Sequence, residues 1–301
     1  MSKEDKIRSG FVGLVGRTNV GKSTLINKIL KKKVLITSNK VQTTRYRVHC
    51  ILNNEKSQII FVDSPGFFKP RNLLQERLKS AAEGVIKDVD VIVAMVDIAG
   101  GIGRGDSFVF EQVKDRSQPK ILLLNKVDII ETDRAVEQRK IIEDLDYFDE
   151  VIEVSAKTGK NLDKFLEVLT GFLPYGPRYY SEDMISDQPT EKIVSEIVRE
   201  KLFEALSEEI PHSITVEVER LEEKRTRSGD KLTSIGCSIF TERSSQKAII
   251  IGKSGNVLKK VGMKSRLELE KFFGNKVFLE LWVKVRQNWT KNELFLDRFG
   301  Y

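Results

Sequence analysis

Gly16-Arg17-Thr18-Asn19-Val20-Gly21-Lys22-Ser23 fits the pattern G-x-x-x-x-G-K-[ST], a loop that can cradle phosphate. Its glycines allow the backbone to turn N–H groups inward onto phosphate oxygens. Lys22 brings a flexible positive charge to the β and γ phosphates, and Ser23 brings a hydroxyl to Mg2+. A helix that starts near Lys22, with Thr24 in its first turn, adds its positive dipole end. Asp63-Ser64-Pro65-Gly66 is the second segment with chemistry in it. Asp63 can hold Mg2+ through a water, and the Gly66 N–H can meet the γ-phosphate. In Asn125-Lys126-Val127-Asp128 a carboxylate can accept hydrogen bonds from N1–H and the N2 amine of guanine. Adenine lacks both donors and would leave Asp128 unpaired, at a cost of several kcal/mol in order of magnitude. Asn125 would brace the surrounding loops, the Lys126 stem would cover the base, and a backbone N–H of Ser155-Ala156-Lys157 can reach guanine O6. Between these segments, Thr43-Thr44-Arg45 offers a threonine that closes over the γ-phosphate and Mg2+, with Thr44 favoured over Thr43. Lys22, Thr44 and Gly66 are thus the expected catalytic groups, and Ser23, Thr44 and Asp63 the expected metal ligands.

The elements that must hold these residues alternate. Gly10–Gly16 is a short apolar run, and Lys22–Lys32 follows with helical spacing. Arg47–Leu52 and Ile59–Asp63 read as strands around an Asn53-Asn54 turn, and Leu73–Ile86 as an amphipathic helix. Val89–Val96, Ile121–Leu124 and Val151–Val154 read as further strands. Val136–Leu145 and Asn161–Phe172 read as helices, the last with Leu162, Phe165, Leu166, Leu169 and Phe172 on one face. Alternation of this kind argues an α/β domain on a mostly parallel sheet with helices on both faces. Residues 174–190 carry Pro174, Gly176, Pro177 and Pro189 and read as a linker. Beyond them the order is helix, two strands joined at Ser228-Gly229-Asp230, two helices flanking Gly252–Gly255, and a final strand Lys276–Val285, an α+β domain.

Of the chain's 301 residues, 40% are apolar and 32% charged, which excludes disorder as the dominant state. No apolar run approaches the roughly 18 residues of a membrane span. Two cysteines, Cys50 and Cys237, exclude a disulfide framework and fit a reducing cytosol. With two histidines they cannot build an ordinary zinc site. The net charge of +7 is localised. Residues 1–240 carry 38 basic and 38 acidic side chains, whereas residues 241–301 carry 13 and 6. A positive field confined to that end suggests a polyanion, either nucleic acid or an anionic membrane surface, or else a solubilising face.

The motifs GRTNVGKS, QTTR, DSPG, NKVD and SAK, in that order over residues 10–172, resemble the TrmE–Era–EngA group of P-loop GTPases. The resemblance implies GTP and GDP as ligands, Mg2+ as cofactor and slow hydrolysis of GTP. Phe67 follows Gly66 where Ras-like enzymes carry a glutamine that orients water. An apolar side chain cannot do that, so another group, substrate-assisted chemistry or a monovalent cation must help. Asn19 matches a position that helps hold K+ in relatives of this group, and the expectation is slow intrinsic hydrolysis stimulated by K+ or by the partner. Val41 stands where many relatives have proline before Gln42.

In the second half, Gly252-Lys253-Ser254-Gly255 is a G-x-x-G between two helices. There Ile251, Gly252, Lys253, Ser254, Gly255, Val257, Lys259 and Lys260 can border a sugar-phosphate chain and its unstacked bases. With the element order and the charge excess, residues 191–301 resemble a type II KH domain, which binds about four single-stranded nucleotides. A GTPase domain over residues 1–173, the linker and this KH domain form the arrangement of the Era family. Glu200-Lys201-Leu202-Phe203 and Ile210-Pro211-His212-Ser213 resemble its junction. The family implies binding to the 3′ end of 16S ribosomal RNA in 30S subunit assembly, a monomer, and peripheral contact with the inner membrane in some members. Trp289 and Phe295 could stack on bases, although sealing the domain is the expected role of at least one. His212 reads as a turn residue. Two rivals remain: an RNA-modification GTPase, which would need a folate or nucleophile-bearing domain, and a membrane-surface GTPase whose basic tail binds anionic lipid.

Overall fold

Apolar runs become strands buried on both faces. In the computed structural model the strands are β1 (Ile7–Val15), β2 (Val48–Asn54), β3 (Ser57–Asp63), β4 (Val91–Asp97), β5 (Lys120–Asn125) and β6 (Glu150–Glu153); β3, β4 and β5 are buried almost throughout, whereas in β6 only Ile152 is buried. The structure describes residues 7–37, 44–63, 65–66, 70, 72–129, 138–142, 145–206, 213–226 and 228–301. Two units are present, the first ending at Asp187 and the second built on Gln188–Tyr301.

In the first unit the strand order is β2-β3-β1-β4-β5-β6, parallel except for the β2–β3 hairpin. Alternate side chains feed two separate cores. Val91, Val93 and Met95 of β4 point to the layer of α1 (Lys22–Leu30), while Ile92, Ala94 and Val96 point to that of α2 (Leu73–Lys87) and α3 (Arg104–Val113). α4 (Leu162–Phe172) completes the first layer with Leu162, Phe165 and Leu169. Helix α3 is not evident from the spacing of the sequence. It starts among glycines, and the Asp106 side chain accepts from the Gly103 N–H to open its first turn. Of the helix expected over Val136–Leu145, residues 138–142 are helical and Leu145 is not; 136–137 and 143–144 lie outside the described residues.

The proline-rich segment lies along the first unit's sheet. Tyr175–Gly176 forms β7, antiparallel to the start of β1. Gln58 Oε1 then accepts from the Tyr179 and Tyr180 N–H groups. The Asn53 amide donates to three carbonyls of residues 181–184, and Ile51 N donates to Ile185 O. Proline and glycine break regular periodicity, but they leave a chain free to lie along a sheet margin when side chains supply the missing hydrogen bonds. The strap ends at Asp187, whose carboxylate takes both the His49 N–H (3.0 Å) and the His49 ring at Nδ1 (2.9 Å).

In the second unit, α5 (Thr190–Ala205) leads into the hairpin β8 (Thr215–Arg225) and β9 (Lys231–Thr241). Next come α6 (Ser244–Ile251), α7 (Asn256–Phe273), β10 (Lys276–Val285) and α8 (Glu293–Arg298). The sheet order is β10-β9-β8. β10 runs parallel to β9, which requires the crossover that α6 and α7 supply. Val194, Val198, Leu202, Ile235, Cys237, Ile250, Val261 and Leu269 fill the core between helices and sheet. Among the described residues no helix is long and apolar enough to cross a membrane. Both cysteines are free and buried.

Candidate functional site

The phosphate-type loop leaves β1 and enters α1 as expected. Gly21 takes a left-handed φ of 108°, and a Cβ there would come within 2.4 Å of the Asn125 amide nitrogen, so only glycine fits. Asn19 also adopts a left-handed conformation, φ 64°. Lys22 is buried, and its ammonium donates to the Gly16 and Arg17 carbonyls, 3.1 Å each. Burial lowers its pKa to about 8, a shift the nearby Asp63 charge partly offsets. Arg17 turns away from the loop mouth: its Nε lies 3.2 Å from buried Asp106 and its Nη2 donates to Gly101 O. Thr18 lies against Gly66, Val20 is core, and Thr24 is half-buried on α1.

The three expected metal ligands converge although they lie 21 and 40 residues apart in sequence. Thr44 Oγ1 donates to Asp63 Oδ2 at 3.0 Å, Ser23 Oγ donates to the same oxygen at 3.3 Å, and the two hydroxyls are 3.2 Å apart. Two hydroxyls and a carboxylate are hard oxygen donors, the set that Mg2+ prefers beside substrate phosphates. Pro65 and Gly66 follow Asp63 and are buried. Ser64 lies outside the described residues, as do Val41, Gln42, Thr43 and Phe67.

The segments expected to read the base, Asn125–Asp128 and Ser155–Lys157, meet at the ends of β5 and β6. Asn125 Nδ2 donates to Val20 O at 2.7 Å, and its Oδ1 accepts from Ala156 N at 2.9 Å. One buried amide thus ties three loops together. Ser155 Oγ donates to Asp128 Oδ1 at 2.6 Å, which aims an otherwise exposed carboxylate. Lys126, left-handed at φ 70°, pairs with Asp97 at 2.7 Å, a partner the sequence reading missed. Lys157 is exposed.

In the second unit the G-x-x-G turn joins α6 to α7. Gly252 has φ 75°, and a Cβ would meet Val257 at 2.4 Å; Ser254 is left-handed as well. The α7 N-terminus opens onto a groove of about 740 Å³. Gly255, Lys259 and Lys260 line it, together with Met263 and Arg266 of α7 and Leu279 and Leu281 of β10. Ile251, Gly252, Lys253, Ser254 and Val257 are not among its lining residues; Lys253 and Ser254 are exposed, and Val257 packs against Gly252. Met263 and Arg266 continue the helical spacing from Lys259, a signal available in the sequence. Leu279 and Leu281 enter only through packing.

Trp289 is fully buried, its indole N–H donating to Ser213 O, and it packs on Phe299 and Tyr301. It seals the domain. Phe295 is half-buried against Phe299. His212, with Ile210 and Pro211, lies outside the described residues.

Residues 11–126 match the family model described as 50S ribosome-binding GTPase, and residues 209–290 match the KH domain model. The chain is similar to GTPase Era of Caldanaerobacter subterraneus subsp. tengcongensis, 47% identical over 294 residues and 98% of each chain. It is 41% identical to GTPase Era of Staphylococcus haemolyticus over 98% of this chain and 97% of the relative. A crystal structure of Era in complex with MgGDPNP and nucleotides 1506–1542 of 16S ribosomal RNA superposes with TM-score 0.92 at 36% identity, covering 98% of this chain and 99% of that one. An Aquifex aeolicus Era variant bound to GDP·AlF4− gives the same figures.

Proposed function

The chain belongs to the Era family of GTPases, and on that premise we propose a GTP-hydrolysing switch whose KH unit holds the single-stranded 3′ end of 16S ribosomal RNA during assembly of the 30S subunit. The observation that carries the nucleotide half is the convergence of Ser23, Thr44 and Asp63 within 3.3 Å, beside buried Lys22. Ser23, Thr44 and Asp63 would hold Mg2+, which would supply positive charge against the negative charge that develops on the phosphate oxygens. Lys22 supplies a second positive charge to the same oxygens. The Gly66 N–H and Thr44 recognise the third phosphate, so loss of that group on hydrolysis releases them. Asp128, aimed by Ser155, accepts from N1–H and the N2 amine of guanine, and Asn125 fixes the loops that carry both.

K+ near Asn19 belongs to the same proposal; equal hydrolysis rates in K+ and Na+ buffers would remove this element of it. The RNA half rests on the groove beside the G-x-x-G turn, lined by Lys259, Lys260, Arg266 and apolar side chains. Free, buried cysteines fit a reducing cytoplasm. Within the same proposal, the basic C-terminal segment is the part of the chain that would meet an anionic inner-membrane surface.

Exchanging the base reader tests the nucleotide specificity. Asp128→Asn presents a donor where guanine also has one and xanthine has a carbonyl. GTP affinity should fall at least a hundredfold and XTP affinity should rise, as measured by competition with a fluorescent nucleotide. Unchanged preference for GTP over XTP removes Asp128 from the role.

A further inference from the structure

The second unit's sheet has one face under α5, α6 and α7; the other carries the C-terminal segment at one end, where Phe299 packs on Phe240 and Arg298 pairs with Glu217. Along β10 the two faces alternate. Val277 and Val283 enter the core, and Leu279 and Leu281 line the groove. Phe278 and Trp282 point the other way and stay 51% and 42% exposed. Trp282 lies over Gly236 of β9, where a Cβ would come within 3.0 Å of the indole, so the glycine leaves room for the ring. Two aromatic residues four apart on a strand are separated by about 13 Å.

The charges around them form a gradient. On the β8 side, Glu217, Glu219 and Glu222 stand with Arg220 and Lys224. On the β10 side, Lys276 and Lys284 stand with Glu280, and Arg286 follows the strand. Arg220 pairs with Glu280, Lys284 with Glu219 and Arg298 with Glu217. A polyanion on this face is therefore steered toward β10, where both aromatic rings lie. β10 is also an edge strand. This edge separates the groove, lined by Leu279 and Leu281, from the face that carries Phe278 and Trp282.

We propose that Phe278 and Trp282 form a second base-stacking platform, which takes the unpaired ribonucleotides that continue beyond the G-x-x-G groove. The proposal rests on the RNA reading of that groove, which about four nucleotides fill. Stacking accepts any base and adds affinity with length.

The chain's two tryptophans make the test direct, since Trp289 is buried and Trp282 is not. The full-length protein is titrated at low salt with nested RNA fragments of about 4 to 12 nucleotides from the 3′ end of 16S ribosomal RNA. Tetranucleotides should bind without changing tryptophan emission. Longer fragments should quench it and bind about tenfold tighter or more. The double variant Phe278→Leu, Trp282→Leu keeps an apolar cover over Gly236. It should lose the quenching and the length-dependent gain while binding tetranucleotides as the parent does, which also reports an intact fold. Trp282→Leu alone should abolish the quenching. Quenching by tetranucleotides, absence of quenching by long fragments, or a length gain that survives in the double variant overturns the platform. Failure of every fragment to bind sinks the groove reading first, and the platform with it.

Discussion

Residue by residue, the proposed nucleotide site separates groups expected to read the third phosphate from groups expected to hold the rest. Thr44 touches both Asp63 and Ser23. Thr44→Ala should slow GTP hydrolysis tenfold or more and leave GDP affinity within about twofold, because only the triphosphate state uses the closing threonine. Single-turnover hydrolysis beside GDP titration checks this. Asn125 has a different role. Its amide is buried and saturates Val20 O and Ala156 N together. Asn125→Ala leaves both without that partner, at a cost on the order of 2 kcal/mol. GDP and GTP affinity should fall by the same factor, and the urea midpoint of the full chain should drop. A selective loss of GTP alone would place Asn125 at the third phosphate instead.

At the scale of elements, the G-x-x-G turn and the strap each hinge on local geometry. Gly252→Ala meets two obstacles, a left-handed φ of 75° and a contact of 2.4 Å with Val257. The α6–α7 junction must shift, so RNA affinity should fall tenfold or more while nucleotide affinity stays unchanged. Lys253→Glu leaves the backbone alone and adds repulsion, and should weaken RNA binding by a salt-sensitive amount.

The strap predicts a pH dependence. Burial alone would raise the Asp187 carboxyl, but hydrogen bonds from the His49 ring and N–H outweigh it and hold the carboxyl below the usual range. A folded pKa below the unfolded value means stability that is full above about pH 4 and is lost as pH falls through the lowered value. Asp187→Asn should flatten that acid limb of the melting curve. A limb of unchanged steepness would assign the acid loss to other carboxylates.

For the whole molecule, the functional claim is a coupling free energy. If GTP raises the affinity for RNA by some factor, RNA must raise the affinity for GTP by the same factor. Titrating each ligand in the presence and absence of the other, with GTP analogue, GDP and no nucleotide, closes the cycle. Identical RNA affinity in all three states refutes a switch. The surplus of 13 basic over 6 acidic side chains in residues 241–301 further predicts that RNA affinity falls steeply with salt, while nucleotide affinity changes little.

Chemistry confined to short contiguous segments is legible in the amino-acid order. The expected phosphate loop and G-x-x-G turn work through consecutive backbone groups, and the expected base reader through side chains within four residues, so their spacing survives in the one-dimensional pattern. The sheet-forming runs are legible too, because strands buried on both faces are continuously apolar. Tertiary structure alone decided what pairs across distance. That Asp97 holds Lys126, that Asp106 draws Arg17 aside, and that Gln58 and Asn53 knit residues 178–184 to the β2–β3 hairpin follow from which strands lie side by side. The two aromatic positions of β10 and the buried Trp289 make the same point. Identical side-chain chemistry becomes a surface or a core according to which face of an element the packing covers.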